Sequence, residues 1–190
     1  MKITKAKVEA NRARIVEAAT DLFRAHGYDG VGVADLMAAA GLTHGGFYRH
    51  FEAKTDLMAE AACKGFGELA DKAAAIDAAD FVDEYLSRAH RDAPGHGCAM
   101  AALAGDTARQ PEVVKEAFAS GIERLLAVLA AADGGSDCPE PVARARRIAT
   151  MSQIVGAMVL SRACPDDSVL AEEILEVSRR AVLPQLRTEK

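Results

Sequence analysis

The stretch Gly41–Phe51, GLTHGGFYRHF, decides how this 190-residue chain is read. It stands where a helix should begin, yet Gly45 and Gly46 are adjacent glycines, and each costs a helix interior about 1 kcal/mol against alanine. Phe47, Tyr48, Arg49, His50 and Phe51 follow at once. Side chains are given up at the start of the segment, and aromatics and bases are crowded behind.

Working outward, Gly41 ends a helical segment expected over Val33–Ala40, with Asp35 in its first turn, where a negative charge suits the helix dipole. Thr43 is placed to cap the next helix, expected over His44–His50, by accepting a backbone N–H. Ahead of them Ile15, Ala18, Ala19, Leu22 and Phe23 recur at helical spacing and predict a first helix from Lys7 to His26, with Gly27 as its cap. Two short helices joined by a glycine turn form a helix-turn-helix. A recognition helix meets base edges and phosphates with residues near its N-terminus. Glycines there remove bulk, and the free N–H groups can face a phosphate. The expected DNA contacts are Thr43, His44, Gly45, Gly46, Tyr48, Arg49, His50 and Lys54, with Phe47 and Phe51 anchoring the inner side.

The remainder also reads as helix. A fourth helix is expected from Lys54 past Leu69, with Met58, Ala62, Phe66 and Leu69 on one side. FVDEYLSRAH reads as one helix with Phe81, Val82, Tyr85, Leu86 and Ala89 inward. The loop Asp92–Gly97 breaks the chain, CAMAALAGDTARQ is helical, and Pro111 restarts a long helix marked by Val114, Phe118, Ile122, Leu125 and Leu129. Ala132–Pro141 is the most linker-like segment. Two further helices are expected over Val142–Ala163 and Asp166–Leu186. No segment alternates with period two, so the fold class is all-α with about nine helices.

The net charge of −5 hides an asymmetry. Residues 1–54 hold eight Lys/Arg against six Asp/Glu, a balance of +2, and the rest hold 15 against 22, a balance of −7. A basic head on an acidic body suits a polyanion partner, and a chain this acidic is ill-suited to compacting DNA. No Ser-His-Asp order, glycine-rich phosphate loop or HExxH is present, so no enzyme is expected, and no cofactor. No long apolar run marks a membrane span, and the basic N-terminus lacks the apolar stretch of a signal peptide. Cys63, Cys98, Cys138 and Cys164 are too widely spaced for a zinc framework, so no metal is expected. Free thiols in a reducing cytoplasm are the plain reading.

GYDGVGVADLMAAAGLTHGGFYRHFEAKTDL, residues 27–57, resembles the DNA-binding signature of the TetR/AcrR family of bacterial transcription regulators. Gly27, Tyr28, Asp35, Leu36, Ala40, Gly41, Leu42, Thr43, Gly45, Tyr48, Phe51, Lys54 and Leu57 carry the likeness. Val31-Gly32 and Ala53 depart from it, because they lack the hydroxyls that often cap the second and fourth helices. The resemblance implies a three-helix DNA-binding head, residues 1–53, and a ligand-binding and dimerisation body, residues 54–190. It implies a homodimer on a palindromic double-stranded operator, released when a small, mostly apolar effector binds.

Candidate pocket residues in such a body are Cys63, Phe66, Tyr85, Met100, Leu103, Phe118, Met151 and Ile154, although Met and aromatics at helical spacing are core by default. Two apolar stripes suit the dimer seam implied for the last two helices. One holds Ile148, Met151, Ile154, Val155, Met158 and Val159, and the other Leu170, Ile174, Val177 and Ala181. Cys98 follows PGHG at an expected helix N-terminus, which lowers a thiol pKa, with His96 close. Sensing of electrophiles or oxidants through Cys98 is the alternative to effector binding, and a small buried apolar residue is its plainer reading.

Overall fold

Alanine-rich apolar faces at helical spacing produce helix throughout. The computed structural model describes residues 4–132 and 139–187, and no strand occurs among them. The helices are α1 (Lys5–His26), α2 (Val33–Ala39), α3 (Lys54–Ala75), α4 (Ala78–Tyr85), α5 (Arg88–Asp92), α6 (Ala99–Thr107), α7 (Glu112–Ala132), α8 (Glu140–Arg162) and α9 (Val169–Arg187). Two short 3-10 segments, His44–Arg49 and Pro94–His96, complete the described chain. The centre of the expected linker and Cys138 fall in residues 133–138, outside the described residues.

Three expectations change. The recognition segment is a tight 3-10 turn, and the Thr43 side chain makes no cap bond. Instead the Thr43 carbonyl accepts Gly46 N at 2.9 Å, and the Phe47 carbonyl accepts His50 N at 2.8 Å. Six residues containing two glycines cannot sustain an α-helical ladder, so the shorter i→i+3 bonds prevail. FVDEYLSRAH is two helices: α4 ends at Tyr85, and Ser87 caps α5 by accepting His90 N at 3.2 Å. That break leaves Ala89 exposed. The last helix starts at Val169, later than its expected start.

The missing cap hydroxyls at Gly32 and Ala53 are replaced from within the next turn. Asp35 accepts Gly32 N at 3.0 Å, and Asp56 accepts Ala53 N at 2.9 Å. Each carboxylate also lies in the first turn of its helix, α2 or α3, where the dipole favours it. Gly41 takes a φ of +66°, and Leu42 N donates to Met37 O at 2.8 Å, which closes α2 as a left-handed cap.

One core runs through head and body. Ile15, Ala19, Phe23, Leu36, Phe47 and Leu57 are buried at the head end, and Phe66, Val114, Phe118, Met158 and Val182 in the body. α3 belongs to both halves, packing on α1 at one end and along α7 for most of its length. The α3–α7 approach is close because of Gly121. A Cβ there would stand 2.3 Å from the Phe66 ring, which meets Phe118 edge-on at 5.0 Å. Gly121→Ala is therefore expected to destabilise the fold by about 1–3 kcal/mol through overpacking. Adding Phe66→Leu should recover part of the loss in denaturant titrations.

Candidate functional site

The recognition turn is held rigid from behind. Phe47 is fully buried, stacks on Phe51 at 5.5 Å and meets Tyr48 edge-on at 5.4 Å. Arg12, which nothing in the apolar pattern singles out, is the main brace. Its guanidinium lies 4.1 Å over the Phe51 ring, donates to the His50 carbonyl and pairs with Glu60 on α3. A cation on an aromatic face, bonded at two further points, fixes the turn between α1 and α3.

Outward, Thr43, His44, Gly45, Tyr48 and Arg49 are exposed, and Tyr48 shows 72% of its surface. Gly46 is half-buried, and a Cβ there would lie 3.4 Å from the Met37 methyl. An added Cβ on Gly45 would meet nothing within 4 Å, and its φ is not positive. Nothing inside the protein requires glycine at position 45. Arg14 and Lys7 add exposed cations on α1. Two of the expected contacts turn inward instead. Lys54 donates its ammonium to the Tyr28 carbonyl. His50 is half-buried, and burial together with Arg12 and Arg49 lowers its pKa. The Lys54 side chain is drawn off the surface by the Tyr28 carbonyl behind the turn.

The head meets the body at Tyr28, which is fully buried and edge-on to Phe23 at 5.1 Å. Its hydroxyl is pushed up to about 12, chiefly by burial, with the Thr107 hydroxyl beside it pulling the other way. Asp106, in the last turn of α6, accepts Tyr28 N at 3.2 Å. Arg24, buried on α1, donates to Glu68 at 2.9 Å and to the Gly97 carbonyl at 3.1 Å.

Two cavities in the body share Leu69, Phe81 and Tyr85. A slot of about 280 Å³ lies between α3, α4, α7 and α8, lined by Leu69, Phe81, Tyr85, Met100, Met151 and Ile154, with Asp77, Arg146, Arg147 and Thr150 also on its wall. A wider cleft of about 730 Å³ reaches Glu68, Lys72, His90 and Cys98. Of the expected pocket residues, Tyr85, Met100, Met151 and Ile154 line the slot. Phe66, Leu103 and Phe118 are core side chains outside the slot, and Cys63 is exposed. Phe66 and Phe118 lie where α3 and α7 turn against each other.

Cys98 does precede α6, yet it is only 1% exposed, and burial raises its thiol pKa. The Tyr85 hydroxyl, the backbone of Met100 and Ala101, and Arg162 pull it the other way. The expected lowering by a helix N-terminus is outweighed by desolvation. The histidine at its side is His90, which takes Cys98 N on Nε2 at 3.1 Å, and whose Nδ1 lies 2.7 Å from the Tyr85 carbonyl. That arrangement requires the neutral ring with the proton on Nδ1. Among the described residues no group of three or more His, Cys, Asp or Glu could hold a metal, and no helix is long and apolar enough to cross a membrane.

On the outer side of α8 and α9, Ile148, Val159, Leu160, Leu170 and Val177 are exposed, and a Cβ on Gly156 would meet nothing. Val155 and Ile174 are half-buried and Ala181 is exposed. Met151 and Met158 face the protomer's own core, a turn of helix away from the exposed stripe.

Gly45→Ala is expected to leave stability unchanged or raise it by up to about 1 kcal/mol while weakening DNA binding, as Tyr48→Ala also should. Calorimetric melting and a DNA titration on the same samples check the pair. Burial first, then Arg162 and Lys72, depress His90, against the pull of the Tyr85 carbonyl. The folded state therefore takes up its proton at lower pH than the unfolded chain. The stabilisation is present above the ordinary pKa of about 6.5 and is lost as pH falls below it. His90→Asn should flatten that acid-side decline in denaturation midpoints measured from pH 7.5 to 5.

Residues 15–61 match the family model described as bacterial regulatory proteins, tetR family. No curated protein matches the chain. Among solved structures, NemR of E. coli in its reduced form is 16% identical, covering 91% of this chain and 95% of its own, with a TM-score of 0.73. A TetR transcriptional regulator from Chloroflexus aurantiacus is 24% identical, covering 96% of each chain, with a TM-score of 0.72. RolR in complex with resorcinol is 18% identical, covering 98% of this chain and 95% of its own, with a TM-score of 0.53. Residues 15–61 carry the tetR-family pattern on a braced, outward-facing turn, and over nearly the whole chain the helical fold is that of solved structures described as TetR-family transcriptional regulators.

Proposed function

We propose that the protein is a repressor that binds a two-fold operator as a homodimer and releases it when a small, mostly apolar effector occupies the slot between α3, α4, α7 and α8. The head is residues 1–53 and the body residues 54–190. The observation that carries the DNA reading is Gly45, a glycine that the protein interior does not need, beside a tyrosine 72% exposed on a buried aromatic brace. In this reading Thr43, His44, Gly45, Gly46, Tyr48 and Arg49 face the groove, and Lys54 and His50 hold the turn in place.

The exposed stripe of Ile148, Val159 and Leu160 on α8 and Leu170 and Val177 on α9, with Val155 half-buried beside it, supports the dimer seam, because contiguous apolar surface on a protomer marks an interface. Slot and head are linked by two helices. Leu69 and Ala73 put α3 on the slot, and Met100 puts α6 there. α3 begins at Lys54 and α6 ends near Asp106, and these two side chains hold the carbonyl and the amide of Tyr28. The route runs through Leu69 and Ala73 rather than Phe66. A ligand that shifts either helix changes the spacing of the two recognition turns, which must sit about 34 Å apart to meet successive grooves. Differential affinity of that kind is typically worth about 1–3 kcal/mol.

The test is sedimentation and gel-shift with the DNA upstream of the protein's own gene, where two protomers on a discrete site are expected. Val159→Glu should dissociate the dimer without unfolding it, since position 159 is exposed within the protomer. A charge buried in the seam costs about 3–5 kcal/mol, enough to abolish operator binding at wild-type concentrations. A Val159→Glu dimer of unchanged strength removes the seam from the proposal, and uniform coating of any DNA removes the repressor.

A further inference from the structure

His90 ties three helices of the body together. It stands on α5, its Nδ1 lies 2.7 Å from the Tyr85 carbonyl at the end of α4, and its Nε2 accepts Cys98 N at 3.1 Å, immediately ahead of α6. Its ring also meets the Tyr85 ring edge-on at 4.6 Å. Gly97 leaves no slack beside it, since an added Cβ would stand 2.7 Å from His90 Nε2 and 3.1 Å from Arg162 Nη2. Both ring nitrogens are engaged with backbone groups, and the ring can satisfy the two only while neutral. A proton on Nε2 turns the acceptor into a second donor and sets it against the Cys98 N–H.

The surroundings decide where a charged ring would go. Arg162 on α8 donates to the His90 carbonyl at 2.7 Å, and Arg162 and Lys72 on α3 both oppose a positive charge on the ring. Arg91, next in α5, is committed to Asp92 and to the carbonyls of Ser161 and Pro165. Burial keeps Tyr85 and Cys98 neutral. The other side is the cleft of about 730 Å³, which His90 lines together with His96 and the carboxylates of Glu68 on α3 and of Asp83 and Glu84 on α4. Glu68 holds Arg24 and Lys64, Asp83 faces Arg179, and Glu84 holds Lys72. The seat at Cys98 thus offers a charged ring cations, and the cleft offers it carboxylates.

That seat is at the end of α6 remote from the head. At 1.5 Å per residue Cys98 and Asp106 are about 12 Å apart along the helix, and Asp106 accepts Tyr28 N at 3.2 Å. Met100 between them lines the slot, and the Gly97 carbonyl accepts Arg24 Nη1 of α1 at 3.1 Å. We propose that His90 is an acid-sensitive latch on α6: protonated at Nε2, its ring leaves Cys98 N for the cleft, the start of α6 is released, and the head's grip on its operator weakens. Burial first, then Arg162 and Lys72, hold the ring neutral to below its ordinary value of about 6.5, against the pull of the Tyr85 carbonyl. The latch is therefore closed at neutral pH and opens on acidification. The operator arm of the test rests on the repressor reading, and the α6 arm does not.

Full-length protein and His90→Gln, whose amide oxygen can take Cys98 N without titrating, are compared at pH 7.5 and 5.5 by hydrogen exchange over residues 98–107, with operator titrations on the same samples. Comparison at one pH cancels intrinsic exchange and the other histidines. The two proteins should behave alike at pH 7.5. At pH 5.5 the wild type should exchange about fivefold faster than His90→Gln over this segment and bind operator about fivefold more weakly, the low end of coupling between sites. Gly97→Ala, whose methyl displaces the ring, should exchange over α6 at pH 7.5 as the wild type does on acidification, relative to His90→Gln at the same pH. If His90→Gln does not fold, Gly97→Ala decides, and exchange as slow as that of the wild type at pH 7.5 overturns the latch. Equal exchange of wild type and His90→Gln at pH 5.5, or an acceleration spread over the whole chain, overturns it as well. Faster α6 exchange with unchanged operator affinity overturns the link to the head. Absence of a discrete DNA complex at pH 7.5 sinks the repressor reading, while exchange still decides the latch.

Discussion

Tyr28 is gripped at both of its backbone polar atoms. Lys54, at the start of α3, holds its carbonyl, and Asp106, at the end of α6, holds its amide. Its ring is fully buried against Phe23. The turn between α1 and α2 is thereby tied to the two helices that also wall the body's slot. A buried peptide group needs its hydrogen bonds, so neither helix can move without carrying the turn with it or leaving a donor or acceptor unsatisfied. Head and body are coupled by this constraint rather than by a broad apolar interface alone.

The same economy explains the recognition turn. A six-residue 3-10 segment with two glycines has little stability of its own. It holds its shape because Phe47 and Phe51 are stacked in the core and Arg12 bonds across them to His50 and Glu60. With rigidity supplied from behind, the outer face is free to be shaped by what it touches. The polar cluster around His90 works in the same manner. His90 joins Tyr85 to Cys98, and Arg91 and Arg162 donate to carbonyls across the junction of α5 with the end of α8. Cys98 is enclosed by that cluster, so its position at a helix start does not make it a reactive thiol.

Much was legible in the chain before folding. The apolar spacing of α1, α3, α7 and α8, the glycine stops at Gly27 and Gly41 and the proline restart at Pro111 are local signals, and each appears in the structure where it was expected. The pattern from Gly27 to Leu57 was sufficient for the head. Local signals succeeded because helix stops, caps and amphipathic faces depend on residues within one or two turns.

Long-range contacts escaped this reading, because nothing in sequence spacing records them. Lys54 and His50 look like surface bases, but the carbonyl of Tyr28 draws Lys54 inward, and His50 is half-buried. Arg12 looks like an ordinary residue on the polar face of α1 until Phe51 and Glu60 arrive beside it. Phe66 and Met151 have the same hydrophobic spacing, yet the close approach at Gly121 buries one between helices and leaves the other on the slot. Periodicity assigned the face of each helix, and only the packing of one helix against another decided which part of that face became core, cavity or exposed seam.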